Sequence, residues 1–423
     1  MKKGNLIIIN ANEIVTCSGF KGKSGTAMSD LNVINNGSIV VENGVITKVT
    51  KDVLDVKEYE AKGFEIIDAT DRCVLPGFVD SHTHLVFGGY REQEYNWRLE
   101  GQSYMDIMSK GGGIINSVKG TKNASEEELI KVGIKRLNSM TGFGVTTVEG
   151  KSGYGLDLDT EIKQLEVMRK LNEIHSLDIV TTFLGPHARP AEYKTDPDAF
   201  IDFMIDTVLP VVDERGLAEF ADIFCEENIF SVEQSRRFLS AAKARGFKLK
   251  IHADEIVQIG GAELAAELGA FSADHLLQAS DAGIIAMRDA GVVATILPCT
   301  AFSLKESYAR ARTMIDQDLV VALATDFNPG SCFTESIPLL IALATNQMGM
   351  SIEETITALT INGAAALDRA DRIGSIDVGK RADIVIHEFP TYKFLPYHIG
   401  VSTVEKVIKN GVLILDKFND QPY

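Results

Sequence analysis

Hydrophobic and polar positions fall into three textures along the chain. Residues 1–72 carry short apolar runs separated by turn residues: 6–10, then 37–44 leading into 45–49, then 64–67. Asn43-Gly44 between two such runs predicts a hairpin, because both residues tolerate positive φ. The far end repeats this texture in 383–386 and in 404–408 and 412–415, which flank Asn410-Gly411. Two β-rich ends around a different middle predict a small β-sandwich built from residues 1–72 and 371–423. In residues 73–370, apolar runs alternate with stretches of helical period. The strand candidates are 74–84, 144–150, 178–184, 220–225, 249–252, 271–275, 292–297 and 319–325, with helical patterns such as 160–171, 232–244, 261–268 and 279–289 between them. Eight β/α units are what an α/β TIM-like (β/α)8 barrel needs.

Composition narrows the class. The chain has 423 residues, 45% of them hydrophobic and 24% charged, which suits a soluble barrel with a second lobe. No apolar run approaches the roughly 20 residues that span a bilayer. The run after Met1-Lys2-Lys3 is too short for a signal-peptide core, so it reads as a first strand. The net charge of −17 argues against nucleic acid or an anionic membrane as partner. Five scattered cysteines with no Cys-x-x-Cys exclude a disulfide framework and a thiolate zinc site, and they suit a reducing cytoplasm.

The chemistry gathers at strand ends, where a TIM barrel keeps its active site. The first barrel strand ends in His82 and His84, two apart and therefore on one face. The second runs into Glu149-Gly-Lys-Ser-Gly-Tyr154, the third into His187, the fourth into Cys225-Glu-Glu-Asn228. The fifth ends at His252-Ala-Asp-Glu255, the sixth at Ala273-Asp-His275 and the eighth at Thr325-Asp326. Only the seventh ends without evident chemistry, at Pro298-Cys299-Thr300. Of eight histidines, six lie in the barrel block and five of those end strands. His175, His387 and His398 read as structural. His82, His84, His252 and Asp326 supply three imidazoles and a carboxylate, a set that suits a d¹⁰ or divalent transition metal with an open position for water. Such a metal lowers the pKa of its water from about 15.7 to near 7. Glu255 is placed to take the water's proton, and His275 to support an oxyanion or relay a proton. Lys151 follows the second strand rather than a middle one, and the four ligands already fill a mononuclear shell, so a carboxylated bridging lysine is not expected.

These motifs resemble the amidohydrolase superfamily. The terminal β-sandwich, Pro76-Gly-Phe-Val-Asp-Ser-His-Thr-His84 and the late Thr325-Asp326 carry the likeness. More specific pieces are Asp80–Gly89, Gly150–Leu156, Thr182–His187, Phe224–Asn228, Ile251–Glu255, Ala273–Leu276 and Ala324–Gly330. They are similar to the branch that hydrolyses the cyclic amide of 4-imidazolone-5-propanoate to N-formimino-L-glutamate in histidine degradation. The resemblance implies one zinc or iron ion per chain on His82, His84, His252 and Asp326, with Glu255, His275 and Asp326 catalytic. It implies a small anionic heterocyclic substrate held by Arg91, Tyr104, Tyr154, His187, Glu255, Asn328, Gly330 and Ser331, and a homodimer. The lactam chemistry agrees: Arg91 offers a bidentate guanidinium to a propanoate. The chain departs from the pattern at Tyr90, Pro186, Cys299 and Ser331, where Asn, Ala, Gly and Thr are expected. Two other readings differ in measurable ways. A heterocycle deaminase would release ammonia, and a non-catalytic barrel would lack bound metal.

Overall fold

The structure is a computed structural model and describes residues 3–102 and 112–417. Tyr104 lies outside the described residues. Two sheets divide the chain. One takes strands from both ends, in the order Val412–Asp416, Val404–Lys409, Ile384–His387, Cys73–Pro76, Leu6–Val15, Val33–Glu42 and Val45–Thr50, with Glu65–Asp68 beside the first half of Leu6–Val15. Both expected hairpins form, with Asn43 and Gly44 at φ of 51° and 79° and Asn410 and Gly411 at 51° and 71°. The left-handed pair matches the twist of its flanking strands. Ile8, Ile14, Ile39, Val41, Ile384 and Ile408 fill this lobe's own core.

The second sheet is parallel. Its strands are Phe78–Asp80, Val145–Lys151, Asp178–Phe183, Phe220–Ala221, Lys248–Ala253, Ser272–His275, Val293–Ile296 and Val321–Leu323, each beside the next, with Phe224–Cys225 also on the fifth. The eighth meets the first only past their ends. Asp326 N donates to His82 O at 3.0 Å and His84 N to Phe327 O at 2.9 Å. The Asp80 carboxylate accepts from Thr325 N at 2.9 Å and Thr325 Oγ1 at 2.6 Å. The barrel thus closes through the residues that carry the candidate ligands, which fixes their spacing.

One expected element is divided. The apolar run predicts a single barrel strand over 74–84, but Cys73–Pro76 belongs to the terminal sheet, between Leu6–Val15 and Ile384–His387. The chain changes sheets at Gly77, where a Cβ would lie 2.3 Å from the Thr146 side chain. An unbroken apolar run hides such a crossing, because both sheets bury it. The expected helices form close to their predicted limits, among them Leu158–Ile174, Val232–Ala244, Gly261–Leu268 and Asp281–Ala290. Ser231 and Gln234 form a capping box at the start of one of them. Among the described residues, no helix is long and apolar enough to cross a membrane.

Candidate metal centre and active site

Period-two alternation aims pairs of polar residues into the barrel: Glu149 and Lys151, Lys250 and His252, Ser272 and Asp274. Together with His82 and His84 they build two layers. The upper layer is the candidate centre. Ligand atoms of His82, His84 and Asp326 lie within 4.8 Å of one another, and so do those of His82, His252 and His275, and of His84, His187 and His252. The His82 ring centroid is 4.6 Å from that of His252 and 5.4 Å from that of His84.

Three of the four candidate ligands have a partner behind them, whereas His84 Nδ1 has no hydrogen-bond partner among the described residues. His82 Nδ1 is 2.6 Å from Asp274 Oδ2, and His252 Nδ1 is 2.9 Å from Asp222 Oδ2. A proton held on each Nδ1 leaves the Nε2 lone pair facing the centre. Asp326 sits at φ 53°. Its Oδ2 accepts from Thr300 Oγ1 at 2.6 Å, which turns Oδ1 toward His82 Nε2 and His84 Nε2, 3.5 and 3.6 Å away. Burial holds the His82, His84 and His275 imidazoles well below the ordinary histidine range. They are therefore neutral, as metal ligands must be. His82 Nε2 and His252 Nε2 are buried with no hydrogen-bond partner among the described residues. Two orphaned imidazole nitrogens beside a third imidazole and a carboxylate oxygen fit a divalent metal ion.

The lower layer is ionic and fully buried. Lys151 Nζ lies 2.7 Å from Asp222, 3.1 Å from Glu149 and 3.2 Å from Asp274. Lys250 Nζ lies 2.8 Å from Glu149 and donates to Ser81 O at 2.9 Å. Burial opposes the charge on Lys151, but the surrounding carboxylates outweigh it and raise its pKa. Lys151 is thus an ion-paired strut beneath the centre.

Glu255 follows the fifth strand, 13% exposed, with Oε1 3.5 Å from His275 Nδ1. Its loop is held from two sides. Asp254 accepts the backbone N–H groups of Ile259, Gly260, Gly261 and Ala262. Glu226 accepts those of Ile256 and Val257. Burial, then the charges of Asp326, Glu226 and Glu306, push the Glu255 carboxyl up to about 8.

The residues matched to substrate contacts lie on the loops above. His187 stacks on His84, centroids 4.9 Å apart, and Tyr154 packs against both rings. The Asn328 amide is spent within its own loop: Nδ2 donates to Asp326 O, and Oδ1 accepts from Gly330 N and Ser331 N. The Arg91 guanidinium rests on Gly330, where a Cβ would lie 1.9 Å from Arg91 Nη1.

The sequence assigns no role to Asp222, Lys250 or Thr300, and it places Glu149 and Asp274 only within strand-end motifs. Glu149 and Lys250 each stand two positions from another polar strand residue, Lys151 and His252, while Asp222 and Asp274 show only as a carboxylate within an apolar run. Thr300 overturns the expectation that the seventh strand ends without chemistry. A hydroxyl carries no signal in sequence until the fold sets it beside Asp326. Thr300→Val keeps the volume and removes the donor. Metal affinity, read by chelator competition, is expected to fall by roughly 10-fold or more. Unchanged affinity would show that Asp326 needs no such support.

This architecture and donor set define a metal-dependent hydrolase barrel, and the comparisons agree. The model of the amidohydrolase family matches residues 73–414, and the chain belongs to that family. Its relatives include the imidazolonepropionase of Clostridium tetani (strain Massachusetts / E88), 62% identical, with 99% of this chain and 100% of that protein covered. The imidazolonepropionases of Bacteroides thetaiotaomicron and Parabacteroides distasonis are 59% and 55% identical, with 97% and 98% of this chain and 98% and 100% of those proteins covered. At such identity the chain belongs with the imidazolonepropionases within that family. Among solved structures, a triazine hydrolase variant aligns with TM-score 0.72 at 17% identity, over 100% of this chain and 96% of that one. A zinc-bound adenosine deaminase from Xanthomonas campestris aligns with TM-score 0.66 at 19% identity, over 100% and 95%. These two show the fold alone.

Proposed function

We propose that this chain hydrolyses 4-imidazolone-5-propanoate to N-formimino-L-glutamate, a step of histidine degradation. The observation that carries the reading is the Arg91 guanidinium, packed against the loop that follows Asp326, together with a centre of buried imidazoles. The names of its close relatives support it. One zinc or iron ion per chain, held by His82, His84, His252 and Asp326, supplies Lewis acidity to the lactam carbonyl and makes water acidic when bound. The protein's own groups do the rest. Arg91 binds the propanoate carboxylate and sets the ring over the centre. Tyr154 and His187 wall the ring. Glu255 takes a proton from the attacking water, whose oxygen bonds to the lactam carbon. His275 donates to the oxyanion. Asp326 takes the remaining proton of the added oxygen and delivers it to the leaving ring nitrogen as the carbon–nitrogen bond breaks, which leaves a carboxylate on the former lactam carbon, and Glu255 releases its proton to solvent. One water is consumed and no ammonia leaves. The five cysteines are all buried thiols, which suits a reducing cytoplasm, and a homodimer is the assembly to test by sedimentation.

The test is to mix metal-loaded protein with freshly made 4-imidazolone-5-propanoate and follow ring absorbance and ammonia together. Loss of absorbance without ammonia is expected. Ammonia release would mark a deaminase, and loss no faster than the spontaneous rate would remove this substrate. Metal analysis of the purified protein decides between zinc and iron.

A further inference from the structure

Arg91 has a companion. It stands just before helix Glu92–Leu99, and Arg91, Glu94 and Arg98 fall at i, i+3 and i+7, on one face. Glu94 is buried, and its Oε2 is 2.9 Å from Arg91 Nε and 2.8 Å from Arg91 Nη2. The same carboxylate accepts from Gly113 N at 3.0 Å and from Asn116 Nδ2 at 3.1 Å. Arg91 is therefore well positioned but already neutralised: its pair with Glu94 carries no net charge.

Arg98 restores the charge. Its Nη2 donates to Gly330 O at 3.0 Å, on the same glycine whose missing Cβ makes room for Arg91. The two guanidiniums meet at one residue, four positions past Asp326. Arg98 is half-buried beside the Tyr95 ring, 5.5 Å from its centroid, and forms no ion pair among the described residues. Burial and the neighbouring charge of Arg91 lower its pKa, as expected of a cation awaiting an anion. Among the described residues, two guanidiniums and one carboxylate leave a charge of plus one at Gly330, the complement of a single substrate carboxylate.

We propose that Arg98 is a second substrate-binding residue, pairing with the propanoate carboxylate beside Arg91 and supplying the net positive charge that the Arg91–Glu94 pair lacks. The proposal rests on the carboxylated substrate of the preceding section. It assigns Arg91 to orientation and Arg98 to charge, so loss of Arg98 raises KM far more than it lowers kcat.

The test compares holoenzyme carrying Arg98, Arg98→Lys or Arg98→Met. Calorimetry measures binding of imidazole-4-propanoate, a stable analogue of the substrate, and of its uncharged primary amide. Arg98→Met is expected to weaken the acid by roughly 10-fold or more and the amide by less than about 2-fold, with Arg98→Lys between. KM for 4-imidazolone-5-propanoate should rise in parallel. Equal weakening of acid and amide would reduce Arg98 to a prop for the Gly330 loop. Unchanged binding of the acid, or a parent enzyme that does not prefer acid to amide, would also overturn the proposal. Arg98-dependent preference for the acid in a protein that fails to open the lactam would leave the carboxylate site standing and remove only the substrate.

Discussion

Glu255→Gln is expected to lower kcat for ring opening by about 10²–10⁴-fold while leaving metal content and thermal unfolding unchanged. The amide matches the carboxylate in shape but cannot accept a proton from water. Glu255 is suited to this work by its surroundings. Desolvation and then the charges of Asp326, Glu226 and Glu306 push its carboxyl up to about 8, which makes its anion a stronger base than an exposed glutamate. A cation bound at the centre draws that value down again, because positive charge favours the carboxylate. The sign follows: kcat/KM rises with pH as Glu255 loses its proton, and this ascending limb disappears in the variant. Profiles of kcat/KM against pH for parent and variant test both claims. A variant with undiminished kcat, or one that keeps the limb, would transfer the base role to another group. His275, with Nδ1 3.5 Å from Glu255 Oε1, is the first candidate.

Lys151→Met is expected to destabilise the barrel by about 3–5 kcal/mol and to weaken metal binding by roughly 10–100-fold. Lys151 stands among three fully buried carboxylates. Methionine fills the space and leaves their charge uncompensated, with only Lys250 still in reach of Glu149 and Asp274. The damage passes to the centre because two of those carboxylates, Asp222 and Asp274, face the Nδ1 atoms of His252 and His82. Urea unfolding and chelator competition read the two effects separately. Loss of soluble protein is the extreme form of the first, and the double variant Lys151→Met/Asp222→Asn then decides, since removing one stranded carboxylate should recover part of the stability. A Lys151→Met protein as stable as its parent would sink the strut.

The alternation of apolar and polar residues determined both sheets, because period two and helical period are local properties of the chain. It marked the eight barrel strands, the two Asn-Gly hairpins and the strand-end positions of His82, His84, His252, His275 and Asp326. What the sequence did not reveal depends on residues far apart in the chain. Gly77 passes the chain from one sheet to the other within a single apolar run. Thr300 meets Asp326 across 26 positions, and Lys151 meets Asp274 across 123. Arg91 and Arg98 are brought to Gly330 by a loop more than 200 residues later. The sequence by itself determined which side chains point into the barrel, since that is set by strand parity. Only the tertiary structure decided which of them share a proton, a charge or a ligand, because those interactions act over a few ångströms and barrel closure alone creates such distances.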